Sequence, residues 1–178
     1  MRVRIVEASA TDSDAVLSIE RAAFARDDEA ALVADLLRDP TAQPSLSLLA
    51  FLEDKPVGHV LFTRVVLAGA SHPAPAAILA PLAVVPEYQR RGVGRALIEQ
   101  GASLLAASGV QLLFVLGDPA YYARSGFVPA VPSGLRAPYP IVPEEAWRVR
   151  ALAADVLGSV SGVVACAESL AKPEYWRE

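Results

Sequence analysis

The stretch VVPEYQRRGVGRALIEQ, residues 84–100, joins an apolar run typical of a buried strand to an amphipathic helical pattern. The turn between them contains Arg90, Arg91, Gly92, Gly94 and Arg95. Cations at the start of a helix oppose its macrodipole, because the N-terminal end of a helix is already positive. We therefore expect a bound anion at this turn, supplied by a ligand.

The two glycines of this turn let the backbone bend closely and present successive N–H groups. The helix start adds amides that have no partner inside the helix, and the arginines can reach further phosphates. This combination predicts a cradle for a diphosphate. The turn is not a P-loop, which requires G-K-[ST], nor a dinucleotide-binding turn, whose third glycine is replaced by Leu97. The alternative is a glycine turn with solvated arginines at an exposed helix end.

Hydrophobic periodicity along the chain predicts the element order βααβββαβ(α)ββ, a mixed α/β sheet flanked by helices. The first helix is predicted to begin with a capping box of Thr11 and Asp14. Pro81 lies inside the strand predicted at residues 77–85, and because proline donates no ladder hydrogen bond we expect strand pairing to break there. The five prolines within residues 128–143 predict an irregular loop that shapes a site.

The composition limits the class of protein. A chain of 178 residues that is 53% hydrophobic and 20% charged fits one folded domain over residues 1–178. The net charge of −4 argues against general nucleic-acid binding, which usually needs a basic face. Cys166 is the single cysteine, so an intrachain disulfide and a cysteine-based zinc site are excluded, and two histidines argue against a multi-histidine metal site. The N-terminal residues lack the apolar core of a signal peptide and the longest apolar run is too short to span a bilayer, so a reducing, cytoplasmic location is the default expectation.

Two motifs resemble those of the GCN5-related N-acetyltransferases, the GNAT family. The run QRRGVG at residues 89–94 resembles the family's Q/R-x-x-G-x-G/A motif, and AYYARSGF at residues 120–127 resembles its later Y-x-x-x-G-F element. One helix and one strand separate the two motifs, as they do in the family. The resemblance covers residues 3–128 well and residues 129–178 less specifically, and the longer run LFVLGDPAYYARSGF resembles a bacterial subgroup of predicted acetyltransferases. It implies a GNAT-like fold whose mixed sheet splays between strands 4 and 5, in agreement with the position of Pro81.

The resemblance also implies acetyl-CoA as cosubstrate, without a metal. The cofactor-binding residues would be Leu82, Ala83, Val84, Gln89, Arg90, Arg91, Gly92, Val93, Gly94 and Arg95. In this assignment the loop amides hold the diphosphate, the strand backbone pairs with the pantetheine arm, and the Ala83 amide polarises the thioester carbonyl. Tyr122, four residues before Gly126, would be the general acid that protonates the departing thiolate. Tyr121 is its local competitor, and a core aromatic with a satisfied hydroxyl is the alternative for Tyr122.

The sequence departs from the family pattern in two places. Many members carry a glutamate on the strand before the cofactor loop as general base, but residues 76–85 contain no acid. The acceptor amine would then lose its proton through a water chain or arrive neutral. Glu20 and His59 are alternative relays, and the simpler alternative for each is a solvated or locally bonded side chain. Asp118 stands near the place where the family often carries an asparagine.

Together these features predict an N-acetyltransferase in which a primary amine attacks acetyl-CoA directly within a ternary complex. Two other classes stay open at this point: a non-catalytic acyl-CoA-binding or sensing module, and a partner-binding α/β domain whose glycine turn is incidental. The acceptor is a small-molecule or peptide amine, and a protein N-terminus, a polyamine, an amino acid or an antibiotic all fit. Neither nucleic acid nor a membrane is an expected partner. The oligomeric state is open, a homodimer included.

Overall fold

The computed structural model describes residues 2–177, so the predictions that include Met1 and Glu178 lie partly outside the described residues. The strands are β1 (Arg4–Glu7), β2 (Leu46–Leu52), β3 (Lys55–Ala68), β4 (Ala76–Val84), β5 (Leu112–Leu116), β6 (Val128–Pro129), β7 (Leu135–Arg136), β8 (Trp147–Ala151) and β9 (Gly162–Ala165). The α-helices are α1 (Ser13–Phe24), α2 (Asp28–Arg38), α3 (Val93–Ala107) and α4 (Pro119–Ala123). The elements predicted from hydrophobic periodicity are present, with ends that differ by a few residues. In the part of the chain that is described, no helix is long and apolar enough to cross a lipid bilayer.

The main strands form a mixed sheet in the order β1-β2-β3-β4-β5-β8-β6. Neighbouring strands are antiparallel except β4 and β5, which run parallel because α3 carries the chain back across the sheet between them. β9 pairs with the far end of β3 and with β7. The predicted mixed α/β sheet flanked by helices is therefore confirmed.

Different helices cover the two faces of the sheet. Phe62 of β3 faces α3, and its ring packs so closely on Gly101 that an added Cβ there would overlap the ring. His59, three residues earlier on the strand, points to the opposite face and contacts Glu20 of α1. α2 packs beside α1 on this second face, together with the C-terminal 3₁₀ turn Glu168–Leu170.

The sheet opens between β4 and β5 beyond Leu79. β4 pairs with β5 only from Ala76 to Leu79, although β4 itself continues to Val84. On the other side of β4, the register with β3 shifts opposite Pro81. The predicted break in pairing at Pro81 and the splay between strands 4 and 5 are thus confirmed.

Two local predictions are wrong. A hydrogen bond of the capping-box type joins the Ser9 amide to the Asp12 carboxylate over 2.8 Å, and it replaces the predicted box of Thr11 and Asp14 because a short 3₁₀ turn precedes α1. The proline-rich segment is not wholly irregular, since it contains β6 and β7. Pro129 fits there because β6 is an edge strand, where a missing amide donor is tolerated.

Candidate active site

The turn that enters α3 presents a helix N-terminus without a side-chain cap. Gly92 is the N-cap residue and adopts the left-handed conformation with φ of 84°, which residues with a side chain rarely adopt. No side chain of the described residues caps this helix, and the first helical bond runs from the Ala96 amide to the Gly92 carbonyl. The amides of Val93, Gly94 and Arg95 therefore precede the hydrogen-bonded ladder and are oriented toward this end of the helix.

The cations of the turn lack carboxylate partners. Arg90, Arg91 and Arg95 are exposed, and none lies within 4.0 Å of an acidic oxygen of residues 2–177. The Arg91 guanidinium and the Lys55 ammonium both lie over the ring of Tyr88, at 5.3 Å and 5.2 Å from its centroid. Positive charge beside a helix N-terminus becomes favourable when an anion binds between them, so this geometry suits an anion site.

The unpaired edge of β4 lies next to this turn. The Val85 amide donates to the Val57 carbonyl over 2.9 Å. Hydrogen-bonded and non-hydrogen-bonded residue pairs alternate along an antiparallel ladder. Ala83, two residues before Val85, therefore also directs its backbone amide and carbonyl at β3. The backbone groups of Leu82 and Val84 therefore point away from β3, into the opening between β4 and β5.

Two further observations agree with this orientation of the β4 backbone. The Val84 carbonyl accepts a hydrogen bond of 3.0 Å from the side-chain amide of Gln89. Leu82 and Val84 line the cavity at the sheet opening, whereas Ala83 has only 1% of its surface exposed and does not. An extended ligand along β4 would thus meet the backbone of Leu82 and Val84, and the Ala83 amide is directed at β3 instead.

A cavity of about 870 Å³ runs from the sheet opening to the first turn of α3. Its volume lies within the roughly 300–1,000 Å³ that is common for small-molecule sites. Of the residues predicted to bind the cofactor, those that line it are Leu82, Val84, Gln89, Arg90, Gly92, Val93, Gly94 and Arg95. Ala83 and Arg91 are not among the lining residues, the first because of its strand register and the second because its guanidinium lies over Tyr88.

Two tyrosines of α4 line the cavity opposite β4. Tyr122 is half-buried, and its ring makes edge contacts with Tyr121 and Phe127 at centroid separations of 4.9 Å and 5.6 Å. The same ring packs so tightly on Gly117 that an added Cβ would overlap it. Tyr121 holds its hydroxyl against Gly94 in the first turn of α3. Partial burial raises the pKa of Tyr121, which keeps this phenol protonated at neutral pH.

Glu20 and His59 form a buried pair on the α1 face of the sheet. His59 Nδ1 lies 2.6 Å from Glu20 Oε2, and His59 Nε2 lies 2.9 Å from the Ser47 hydroxyl. Both members of the pair are fully buried, and Glu20 Oε1 has no hydrogen-bond partner among the described residues. Burial raises the pKa of Glu20, while its hydrogen bond to His59 acts in the opposite direction. The two side chains are therefore bonded to each other and not solvated, and neither lines the large cavity.

The cavity is also lined by residues to which the sequence analysis assigned no binding or catalytic role. Leu116 and Gly117 at the end of β5 and Ser125 after α4 line the cavity. Asp118 also lines it and caps α4, since its carboxylate accepts from the Ala120 amide over 3.0 Å. Asp118 followed by Pro119 is the sequence pattern that indicates the start of α4, since both residue types are typical of a helix start.

Among residues 2–177 no group of three or more histidine, cysteine, aspartate or glutamate side chains is arranged to hold a metal ion.

Comparison with known proteins adds a family match and two similar bacterial sequences. A family model described as "Acetyltransferase (GNAT) family" matches residues 13–127. The chain is 46% identical over 162 residues to the uncharacterized N-acetyltransferase YjhQ of Escherichia coli K12, which covers 89% of this chain and 88% of that relative. It is 35% identical over 154 residues to the uncharacterized N-acetyltransferase YhbS of the same strain, which covers 86% of this chain and 89% of that relative.

Two similar solved structures contain coenzyme A or its acetyl form. The crystal structure of YhbS from Escherichia coli in complex with CoA matches with a TM-score of 0.87 and 33% identity, over 97% of this chain and 93% of that chain. A GNAT family acetyltransferase from Brucella melitensis in complex with acetyl-CoA matches with a TM-score of 0.74 and 25% identity, over 95% of this chain and 98% of that chain.

Proposed function

Since this chain belongs to the GNAT family of acetyltransferases, we propose that it transfers an acetyl group from acetyl-CoA to a primary amine by direct attack within a ternary complex. The observation that carries the proposal is the large cavity, along which the uncapped start of α3, the unpaired arginines and the open edge of β4 follow one another. A diphosphate and an extended amide-containing arm are complementary to that series of groups. The CoA and acetyl-CoA complexes of the two similar structures support the same ligand.

The residues of the cavity fit acetyl-CoA, which would supply the acetyl group as an activated thioester. The amides of Gly94 and Arg95 would bind the diphosphate, and Arg90 would add charge-assisted hydrogen bonds. Gln89 would release the Val84 carbonyl when a ligand amide pairs with that position of β4.

We place the donor that stabilises the developing oxyanion at Leu82 instead of Ala83. The ladder directs the Ala83 amide at β3, whereas the Leu82 amide points into the sheet opening directly after Pro81. A preorganised backbone N–H at that place contributes about 10²- to 10³-fold in rate, because it donates to the oxygen that gains charge as the amine adds.

Tyr122 is the proposed general acid. The amine adds to the thioester carbon to form the C–N bond, the C–S bond breaks as the oxyanion collapses, and the phenol donates its proton to the departing thiolate. The amine nitrogen gives up a proton to water, and the Tyr122 phenolate recovers one. Because residues 76–85 contain no acid and the Glu20–His59 pair does not reach the cavity, we propose that the amine reacts as the free base.

Thiol release from acetyl-CoA in the presence of a diverse amine panel tests this proposal. We expect turnover with at least one amine, and we expect Tyr122→Phe to lower kcat by about 10²-fold without weakening acetyl-CoA binding. Tyr121→Phe is the matched control and should keep kcat within a few fold of the wild type. An unchanged rate for Tyr122→Phe would remove the acid role. Acetyl-CoA binding without turnover on any amine would favour a non-catalytic module, and a melting temperature unaffected by coenzyme A would refute the binding site.

A further inference from the structure

A second, smaller cavity of about 140 Å³ lies at the same opening in the sheet. The middle of β4, at Ile78–Ala80, and the end of β5 form one side of it, and the C-terminal residues Tyr175, Trp176 and Arg177 form the other. Leu116, the last residue of β5, lines both this cavity and the large one. The two spaces therefore approach each other where β4 and β5 separate.

The small cavity lies on the face of the sheet opposite α3. Trp176 makes an edge contact with Trp147 at 5.5 Å between ring centroids, and Trp147 stacks on Phe114 at 5.1 Å. Phe114 is level with Ile78 in the β4–β5 ladder, and Ile78 belongs to the face turned away from Phe62 and α3. A ligand in the small cavity would thus reach the sheet opening from the side opposite the start of α3.

The C-terminal segment that walls the small cavity, residues 167–177, is held in place by hydrogen bonds. The Asp39 carboxylate accepts from the Ser169 amide over 2.9 Å. The Trp176 indole is buried and donates to the Leu170 carbonyl over 2.8 Å. Because Arg177 follows Trp176 directly, its backbone is anchored while its side chain stays exposed at the mouth of the cavity.

The described residues that line the small cavity carry positive but no negative charge. Arg177 is the charged side chain among its described lining residues, which include no acid. No carboxylate of residues 2–177 lies within 4.0 Å of the Arg177 guanidinium. A guanidinium that has no carboxylate partner among the described residues favours a carboxylate on the ligand and disfavours a second ammonium group. The volume corresponds to about five water molecules, which limits the occupant to a small molecule.

We infer that the small cavity binds the acceptor, and that the acceptor is a small primary amine that carries a carboxylate, with Arg177 as the specificity residue. The inference rests on the proposed function, since the acetyl group has to reach the sheet opening from the large cavity. Arg177 pairs with the carboxylate, and the amine end points toward Leu116. The guanidinium takes no part in the bond changes of the transfer.

Acetylation rates for three amines of similar length test the inference: β-alanine, ethanolamine and 1,3-diaminopropane. We expect the highest kcat/KM for β-alanine and the lowest for the diamine. Arg177→Gln should lower kcat/KM for β-alanine about tenfold through KM, and it should lower kcat/KM much less for ethanolamine, which has no carboxylate. Arg177→Glu should reverse the preference in favour of the diamine. Lys172→Gln, an exposed cation of the same segment outside the cavity lining, is the matched control and should behave as the wild type.

A preference of the wild type for the diamine, or an equal β-alanine rate in Arg177→Gln, would overturn the inference. A binding measurement gives a second readout that does not need turnover. N-acetyl-β-alanine, with and without coenzyme A, should raise the melting temperature of the wild type more than that of Arg177→Gln, and no rise in the wild type would also overturn the inference. Failure of the proposed function is distinguishable, because acetyl-CoA would then either raise the melting temperature of neither protein or raise it without turnover of any amine.

Discussion

Replacement of Gly94 by alanine tests whether the first turn of α3 binds the diphosphate. The nearest atom to an added Cβ is the Tyr121 hydroxyl, which it would overlap, followed by Leu82 Cδ2 and Tyr121 Cζ at 3.6 Å each. Tyr121 and Leu82 both line the large cavity, so the new methyl group points into the space proposed for the ligand. The hydroxyl is at the far end of a side chain that is 38% exposed, and it can therefore move aside.

The methyl group would keep a phosphate away from the amides at the helix start. Loss of one charge-assisted hydrogen bond of about 1.5–3 kcal/mol weakens coenzyme A binding by about 10- to 150-fold. The free energy of unfolding should change by less than about 1 kcal/mol, because the higher helix propensity of alanine offsets the displacement of Tyr121. Gly94→Ala thus separates ligand affinity from stability.

Calorimetric titration with coenzyme A and urea unfolding measure the two quantities. Gln100→Ala, at an exposed position of α3 outside the cavity lining, is the control and should bind like the wild type. The double variant Gly94→Ala/Tyr121→Phe lacks the overlapping hydroxyl and keeps only the two ordinary contacts at 3.6 Å, so it should recover any lost stability but not the affinity. An unchanged Kd in folded Gly94→Ala would refute the diphosphate site. Wild-type affinity in the double variant would show that displaced Tyr121, and not the blocked amides, weakens binding.

Two further predictions concern stability. Hydrogen bonds from Thr41 and from the Ser169 amide lower the pKa of Asp39 to about 2 from its ordinary 3.8, so this carboxylate stabilises the fold above about pH 4 and the contribution is lost as the pH falls through about 2. Urea unfolding at several pH values should show that Asp39→Asn has a lower free energy of unfolding than the wild type at neutral pH, and that it loses less of this free energy on acidification. If the free energies of the two proteins fall in parallel below pH 4, the role of Asp39 is contradicted. His59→Ala should cost about 3 kcal/mol or more because it leaves Glu20 buried without a partner, while Glu20→Gln keeps a hydrogen-bonding group and should cost about 1 kcal/mol. If chemical denaturation shows that His59→Ala and Glu20→Gln lower the free energy of unfolding equally, the unpaired Glu20 carboxyl is not the cause of the loss.

The fold and the large cavity could be predicted well because their determinants are local. Apolar periodicity identified the strands and helices, and Pro81 marked the place where β4 leaves β5. The spacing of Gly92 and Gly94 predicted an anion site at the start of α3, and the structure places an uncapped helix start beside the large cavity there. The capping box was misplaced by two residues, since several hydroxyl and acidic side chains near Ser9 could cap the helix and only the backbone path decides which of them does.

The sequence by itself indicated the family through the two motifs at residues 89–94 and 120–127. It determined the element order and the glycine turn because backbone dihedral preferences and the alternation of apolar residues act over a few positions. Only the tertiary structure decided which β4 amide faces the opening between β4 and β5, because the pairing register with β3 turns the Ala83 amide toward β3 and leaves that of Leu82 at the opening. It also brought Glu20 and His59, 39 residues apart, into one buried pair, and placed Arg177 near the end of β5. These contacts join segments that are distant along the chain, and their geometry depends on how the sheet and helices pack, which no local pattern encodes.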